Sequence, residues 1–291
     1  MSHRRPLGLL AAFSMLGLSA AVAPATADAA TPHWGTYVAL GDSYAAGPGL
    51  PEMEFAPCER SRHNYAHNLA EALHVDRLID ATCGGAVTDD FSRSQKPGAP
   101  PQFEAITPDT ELVTVTIGGN DAGFSEVLGT CGALSLAPIV ADPCHAYYTQ
   151  TGTDALTDRL ETDVAPKVRA VFDGIRARAP HATIVATGYP RLTPTAGSCF
   201  PALPFAPGDY AWINQVQDRL NAAIAEQARA AGIEYADLLD ASAGHDACRD
   251  AQVRWVEPTL NSSSAPAHPN HAGMSAIAQV VANRIAQGFG Q

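Results

Sequence analysis

The stretch YVALGDSYAAGPG, residues 37–49, begins as an apolar run and ends among small residues, with Asp42-Ser43 at the break. A buried strand is a costly place for polar groups. In an open α/β sheet, however, the carboxyl end of a strand is where ligands collect. Ser43 is therefore either a turn residue or a nucleophile, and the remaining strand ends decide between them.

Four further apolar, partly β-branched runs predict strands: 77–81, 112–117, 182–187 and 233–238, after the first at 36–40. Helical periodicity predicts helices over 63–74, 154–178, 210–230 and 273–285. In the second of these, Leu156, Leu160, Val164, Val168, Val171, Phe172 and Ile175 form one stripe. Strands alternating with helices imply one α/β domain over residues 31–291, with a mainly parallel five-stranded sheet and helices on both faces. The segment 95–108, with four prolines, reads as irregular, and 122–153, 189–208 and 239–270 read as long loops tied down by cysteines.

The first thirty residues stand apart. His3-Arg4-Arg5 precedes an apolar stretch from Leu7 to Val22, and Ala25-Thr26-Ala27-Asp28-Ala29 offers A-x-A sites, which together describe a secretory signal peptide cut near 27–30. Export makes an oxidising compartment, and six cysteines (Cys58, Cys83, Cys131, Cys144, Cys199, Cys248) then imply three disulfides, with 15 pairings open. Neither C-x-x-C nor another zinc-like spacing occurs, and His268-x-x-His271 lacks a third ligand at an obvious spacing, so no metal and no cofactor is expected. Loss of the leader removes two arginines and one aspartate and takes the formal charge from −12 to −13. That charge disfavours nucleic acid and anionic membrane as partners, and no later run reaches the ~18 apolar residues of a span. A secreted, extracellular monomer without stable membrane insertion is expected.

The first strand ends in Gly41-Asp42-Ser43, the second in Cys83-Gly84-Gly85 and the third in Gly118-Gly119-Asn120-Asp121, while Ala267-His268-Pro269-Asn270 precedes the last helix. In a strand order 2-1-3-4-5 these ends share one rim. The rim would carry a hydroxyl, glycine amides, a carboxamide and an imidazole, the parts that acyl transfer needs. Serine requires a base within hydrogen-bond reach, histidine titrates near working pH, and amide donors stabilise an oxyanion. Taken singly, each is an ordinary turn or cap.

Together, these blocks resemble the SGNH (GDSL-like) hydrolases over nearly the whole mature chain. The resemblance implies a flavodoxin-like α/β/α sandwich and ester hydrolysis. It implies Ser43 as nucleophile, His268 as base, and the Ser43 amide, the Gly85 amide and the Asn120 side chain as oxyanion donors. The six cysteines and the leader look like the secreted bacterial lipases, phospholipases and esterases of that family, which implies the sequential pairing 58–83, 131–144 and 199–248. Two departures stand out: Tyr44 replaces the leucine of G-D-S-L, and Ala265 occupies the position three before the histidine where the family carries an acid. A Ser43–His268 dyad is therefore expected, with the Ala265 or Pro266 carbonyl facing the imidazole and Asp237, Asp240 or Asp250 as rival acids. The substrate class is an ester or lipid, with 129–141 and 199–207 as either acyl-site lining or caps over the sheet edge. A deacetylase of acetylated polysaccharide is the alternative of the same chemistry; it wants aromatic platforms, yet Trp34, Trp212 and Trp255 lie away from every motif. A non-catalytic binding protein on a hydrolase scaffold is the alternative of another class, against which the intact Ser43 and His268 argue.

Overall fold

Five parallel strands, β1 (Thr36–Gly41), β2 (Arg77–Asp80), β3 (Leu112–Thr116), β4 (Thr183–Thr187) and β5 (Glu234–Ala236), form a sheet in the order 2-1-3-4-5. These elements belong to a computed structural model that describes residues 33–288; the expected leader lies outside the described residues. The period-2 alternation of side chains gives the central strands β1, β3 and β4 two buried faces. On one face Val38, Leu40, Val113, Val115 and Ile184 enter a core completed by Val168, Phe172, Ile175 and Ile224. On the other, Tyr37, Ala39, Leu112 and Val185 meet Tyr65, Leu69, Met274, Ile277 and Val281. The polar residues of this second face satisfy one another: Tyr37 pairs with Thr114 at 2.6 Å, and Thr116 pairs with both Tyr65 and Thr187 at 3.1 and 2.6 Å.

The short helix α1 (Ser43–Ala46) follows β1 directly, and α2 (Tyr65–Ala72) precedes β2. The residues expected as a long loop after β3 instead contain α3 (Phe124–Ser135) and α4 (Pro143–Tyr148). Their apolar side chains are too widely interrupted to make a long stripe; Cys131–Cys144 and a separate cluster with Leu203, Phe205, Tyr210 and Trp212 stabilise them instead. The helix expected over 154–178 is one run with a π-helical turn, Leu160–Val164, leading into α5 (Ala165–Arg178). Helix α6 (Tyr210–Ala230) covers the same sheet face as α5, and α7 (His271–Gly288) covers the opposite face beside α2. The result is a single-domain α/β/α sandwich. Among the described residues no helix is long and apolar enough to cross a membrane.

The end of β1 is held from both sides. The Asp42 amide donates to the Thr116 carbonyl at 2.9 Å, extending the β1–β3 ladder one step past the strand. The buried Gln102, from the proline-rich segment expected to be irregular, donates to the Gly41 carbonyl and accepts from the Gly41 amide, at 3.0 and 2.7 Å. Gly41 sits at φ +137°, and a methyl group there would lie on the Thr116 carbonyl oxygen. Gly41→Ala is therefore expected to lower the stability of the fold by at least about 3 kcal/mol, through backbone strain and overpacking together. Chemical denaturation of wild type and variant checks this; an unchanged midpoint would show that β1 and β3 can separate freely.

Candidate active site

Order 2-1-3 places the carboxyl ends of β2, β1 and β3 side by side, at the point where the strand order reverses. Asp42 caps α1 by accepting from the Tyr44 amide at 2.9 Å, so the chain turns sharply and leaves Ser43 half-buried on the rim. The loop before α7 brings His268 to it across 225 residues: Nε2 of His268 lies 2.8 Å from Oγ of Ser43. On the other ring nitrogen, Nδ1 faces the Pro266 carbonyl at 2.8 Å. A carbonyl accepts only, so Nδ1 carries the proton and Nε2 is left as the acceptor for the serine hydroxyl. Asp237 is used elsewhere, accepting from the Leu239 and Asp240 amides at the start of a short helix. Burial lowers the pKa of His268 below 6.5, against an upward pull from the Pro266 carbonyl and Glu59.

The β2 and β3 ends are fastened to each other. Asn120 donates to the Ala86 carbonyl at 2.9 Å, and Asp121 accepts from the Thr88 hydroxyl at 2.6 Å and from the Thr88 amide. This sets the Asn120 carboxamide beside the Gly84-Gly85 turn. Of those two glycines, Gly84 donates its amide to the Cys58 carbonyl at 2.8 Å, whereas the Gly85 amide has no hydrogen bond among the described residues. Gly85 stands at φ +79°, a conformation that favours glycine. Cys58–Cys83 fixes the same turn from behind. The other two disulfides are Cys131–Cys144 and Cys199–Cys248.

Below Ser43 opens a cavity of about 90 Å³. Ser43, Gly119 and Asn120 stand at its polar end; Phe124, Val127 and Leu128 of α3, Leu156, Phe205 and Ile213 line one part of the rest, and Tyr44, Leu160, Tyr189 and Leu220 another. Of the two stretches weighed as acyl lining, 199–207 contributes Phe205, but 129–141 contributes nothing to this wall, and its Leu136 and Ile139 are exposed. A larger cavity of about 480 Å³, lined by Glu54, Arg60, Asp80 and Asp90, contains none of the motif residues of the rim except Cys83.

As for metals, His271 turns its ring toward His63, 5.2 Å away, rather than joining His268. Glu54, His67 and Asp80 could converge on an ion, their ligand atoms lying within 4.8 Å of one another. Arg60, 3.5 Å from Asp80, and the Asn64 side-chain Nδ2, 2.7 Å from it, already serve that carboxylate.

Residues 39–276 match the model of the GDSL-like Lipase/Acylhydrolase family. The chain belongs to this family. It is 42% identical over 271 residues to Lipase 2 of Streptomyces coelicolor, covering 91% of this chain and 90% of that one. It is 32% identical over 275 residues to a lipase of Streptomyces rimosus, covering 92% and 91%. Among solved structures, phospholipase A1 from Streptomyces albidoflavus NA297 superposes with a TM-score of 0.73 at 31% identity, over 86% of this chain and 99% of that one. The extracellular lipase of Streptomyces rimosus gives 0.71 at 30%, over the same shares. This GDSL-family protein is a carboxylic ester hydrolase.

Sequence reasoning passed over two functional-site residues. Tyr189 follows β4 and so ends a strand on the same rim; its hydroxyl donates to Asp42 at 2.5 Å and accepts from the Gly119 amide at 2.7 Å. Asp42, a turn residue by its sequence position, is 1% exposed and joins the Ser43 turn to the β3 end through Tyr189. The strand-end rule that found the other three blocks would have found Tyr189 as well.

Burial pushes the pKa of Asp42 up to about 7, against the hydrogen bonds from Tyr189 and the Tyr44 amide. The folded state therefore holds this proton more tightly than the unfolded chain does. The stability it contributes is complete below the ordinary 3.8 and is lost as pH rises to about 7. Asp42→Asn is expected to flatten the fall of unfolding free energy between those two values, other buried acids cancelling in the comparison. Denaturant titrations at a series of pH values measure that slope, and an unaltered slope in the variant would assign it to other groups.

Proposed function

We propose that the protein is a secreted lipase or esterase that cleaves carboxylic esters of fatty acyl chains through an acyl-enzyme on Ser43. The 2.8 Å contact between Ser43 Oγ and His268 Nε2, at the mouth of an apolar cavity, carries this reading. Attack of Oγ on the ester carbonyl forms the new C–O bond while its proton passes to Nε2. The developing oxyanion is met by the amides of Ser43 and Gly85 and the Asn120 carboxamide, preorganised by the bonds to Ala86 and Cys58 that fix their loops. Collapse expels the alcohol, which takes the proton from Nε2, and water repeats the sequence to release the acid. The Pro266 carbonyl holds the tautomer, and its dipole takes the place of a full negative charge behind the imidazolium.

The cavity supports one substrate class. Phe124, Leu128, Leu156 and Phe205 offer an acyl chain apolar burial but a sugar no hydrogen-bond partners. This favours lipid esters over acetylated polysaccharide, as do the relatives named lipase and phospholipase A1. Residues 1–30 read as a leader and 31–291 as the hydrolase domain; the three disulfides agree with an oxidising, extracellular destination. We take the working form to be a monomer that needs no cofactor.

An organophosphonate is expected to inactivate the enzyme with the adduct on the peptide containing Ser43, and both Ser43→Ala and His268→Ala to abolish turnover. On nitrophenyl esters of increasing length, with a phospholipid and an acetylated xylan alongside, kcat/KM should rise from acetyl to longer acyl chains. Turnover surviving in Ser43→Ala would remove the mechanism; preference for the xylan would remove the substrate assignment.

The lowered pKa of His268 has its own consequence. The base must be neutral to accept the serine proton, so activity is lost as pH falls through its pKa. The acidic limb of the kcat/KM profile is expected below the ordinary histidine value of 6.5. A limb at or above that value would mean that the free-enzyme imidazole is solvated.

A further inference from the structure

Tyr44 stands next to the nucleophile, in the place of the leucine in G-D-S-L. Its side chain is buried and spans the gap between α1 and the histidine loop. The hydroxyl donates to the Ala267 carbonyl at 2.6 Å, and the ring lies 5.0 Å from the His268 ring, edged by Tyr189 and Phe124.

The carbonyl it holds has unusual leverage. The Ala267 carbonyl and the His268 amide nitrogen share one rigid peptide plane, so fixing that oxygen fixes the plane from which the His268 side chain springs. Pro266, whose carbonyl faces Nδ1, lies on the other side of Ala267. Only the two soft dihedrals of Ala267 separate these planes. Ala267 adopts φ +58°, a left-handed conformation that its Cβ disfavours. That turn curls the Pro266 carbonyl back onto the imidazole. Backbone bonds between Glu257 and both Ala267 and His268, at 3.0 and 2.9 Å, hold the loop from outside, whereas Tyr44 holds it from the side of the nucleophile.

We propose that the Tyr44 hydroxyl is a positioning group for the base: by gripping the Ala267 carbonyl it keeps Ala267 left-handed, and so sets both the Ser43–His268 distance and the Pro266 contact that replaces an acid. Tyr44 touches no reacting atom in this role. The proposal rests on the Ser43–His268 reading above.

Tyr44→Phe keeps the ring packing and removes only the tether. It is expected to lower kcat on a short nitrophenyl ester about tenfold, the scale of losing one buried hydrogen bond. KM should stay within about twofold, because the ring, which lines the cavity, is kept and the hydroxyl points away to Ala267. Adding Ala267→Gly to Tyr44→Phe should recover most of kcat, since glycine takes a positive φ without the steric cost that the tether offsets. Melting curves of each variant establish that the enzyme assayed is folded. Wild-type kcat in Tyr44→Phe would overturn the proposal. So would a loss expressed in KM, or a loss that glycine at 267 leaves unrelieved. Assaying His268→Ala in parallel separates the two levels: if it is inactive while Tyr44→Phe is unimpaired, only the tether falls, and if it turns over, the dyad and the tether fall together.

Discussion

The approach of β1 to β3 at Gly41 is the constraint on which the site depends. Two strands that remained ordinary neighbours would carry their side chains on in alternation, and no residue would leave the sheet. Here the ladder ends on the Gly41–Thr116 pair, with the Asp42 amide bonded to the Thr116 carbonyl and no room for a Cβ at Gly41. The chain must then break upward into α1, and the residue at the break is Ser43. The later contacts around Ser43 presuppose that exit: the Asp42 cap, the Tyr44–Ala267 bond and the mouth of the cavity.

A polar layer underlies this exit and is almost wholly internal. Asp42 and Tyr189 join the β1 and β3 ends, Asn120 and Asp121 join β3 to the turn after β2, and Glu257 secures the histidine loop, with its carboxylate accepting from Arg254, Asn270 and Ser263. Buried polar groups are costly unless satisfied, and a satisfied network permits few alternative arrangements. The loops of this rim therefore hold their relative positions without belonging to the sheet. The apolar cavity beside them has the opposite character, since dispersion and water exclusion set its shape and no single bond does.

Much of the sheet was legible because its signals are local and repeated. Apolar β-branched runs mark all five strands, and Gly-Gly-Asn-Asp and His-Pro-Asn are rare enough in combination to mark two edges of the rim. The elements that sequence reading missed depend on partners far away in the chain. Helix α3 has a weak stripe because it packs chiefly against Leu203 and Phe205 in a disulfide-bound cluster, while Phe124 at its start reaches the sheet core as well. Gln102 looked like one polar residue in a proline-rich stretch, yet it closes the β1 backbone 61 residues away. Tyr44 looked like a small departure from a motif; its meaning resides in a carbonyl 223 residues downstream.

The apolar cluster built from α3, α4, Leu203, Phe205 and the start of α6 shares few side chains with the two sheet cores, and the disulfide Cys131–Cys144 secures it from within. The rim and the chamber thus rest partly on different foundations: Ser43 and Asn120 follow strand ends, His268 sits on the loop before α7, and part of the chamber wall belongs to a semi-independent annex. Replacement of residues in the annex can reshape the chamber while leaving the reacting groups where they are.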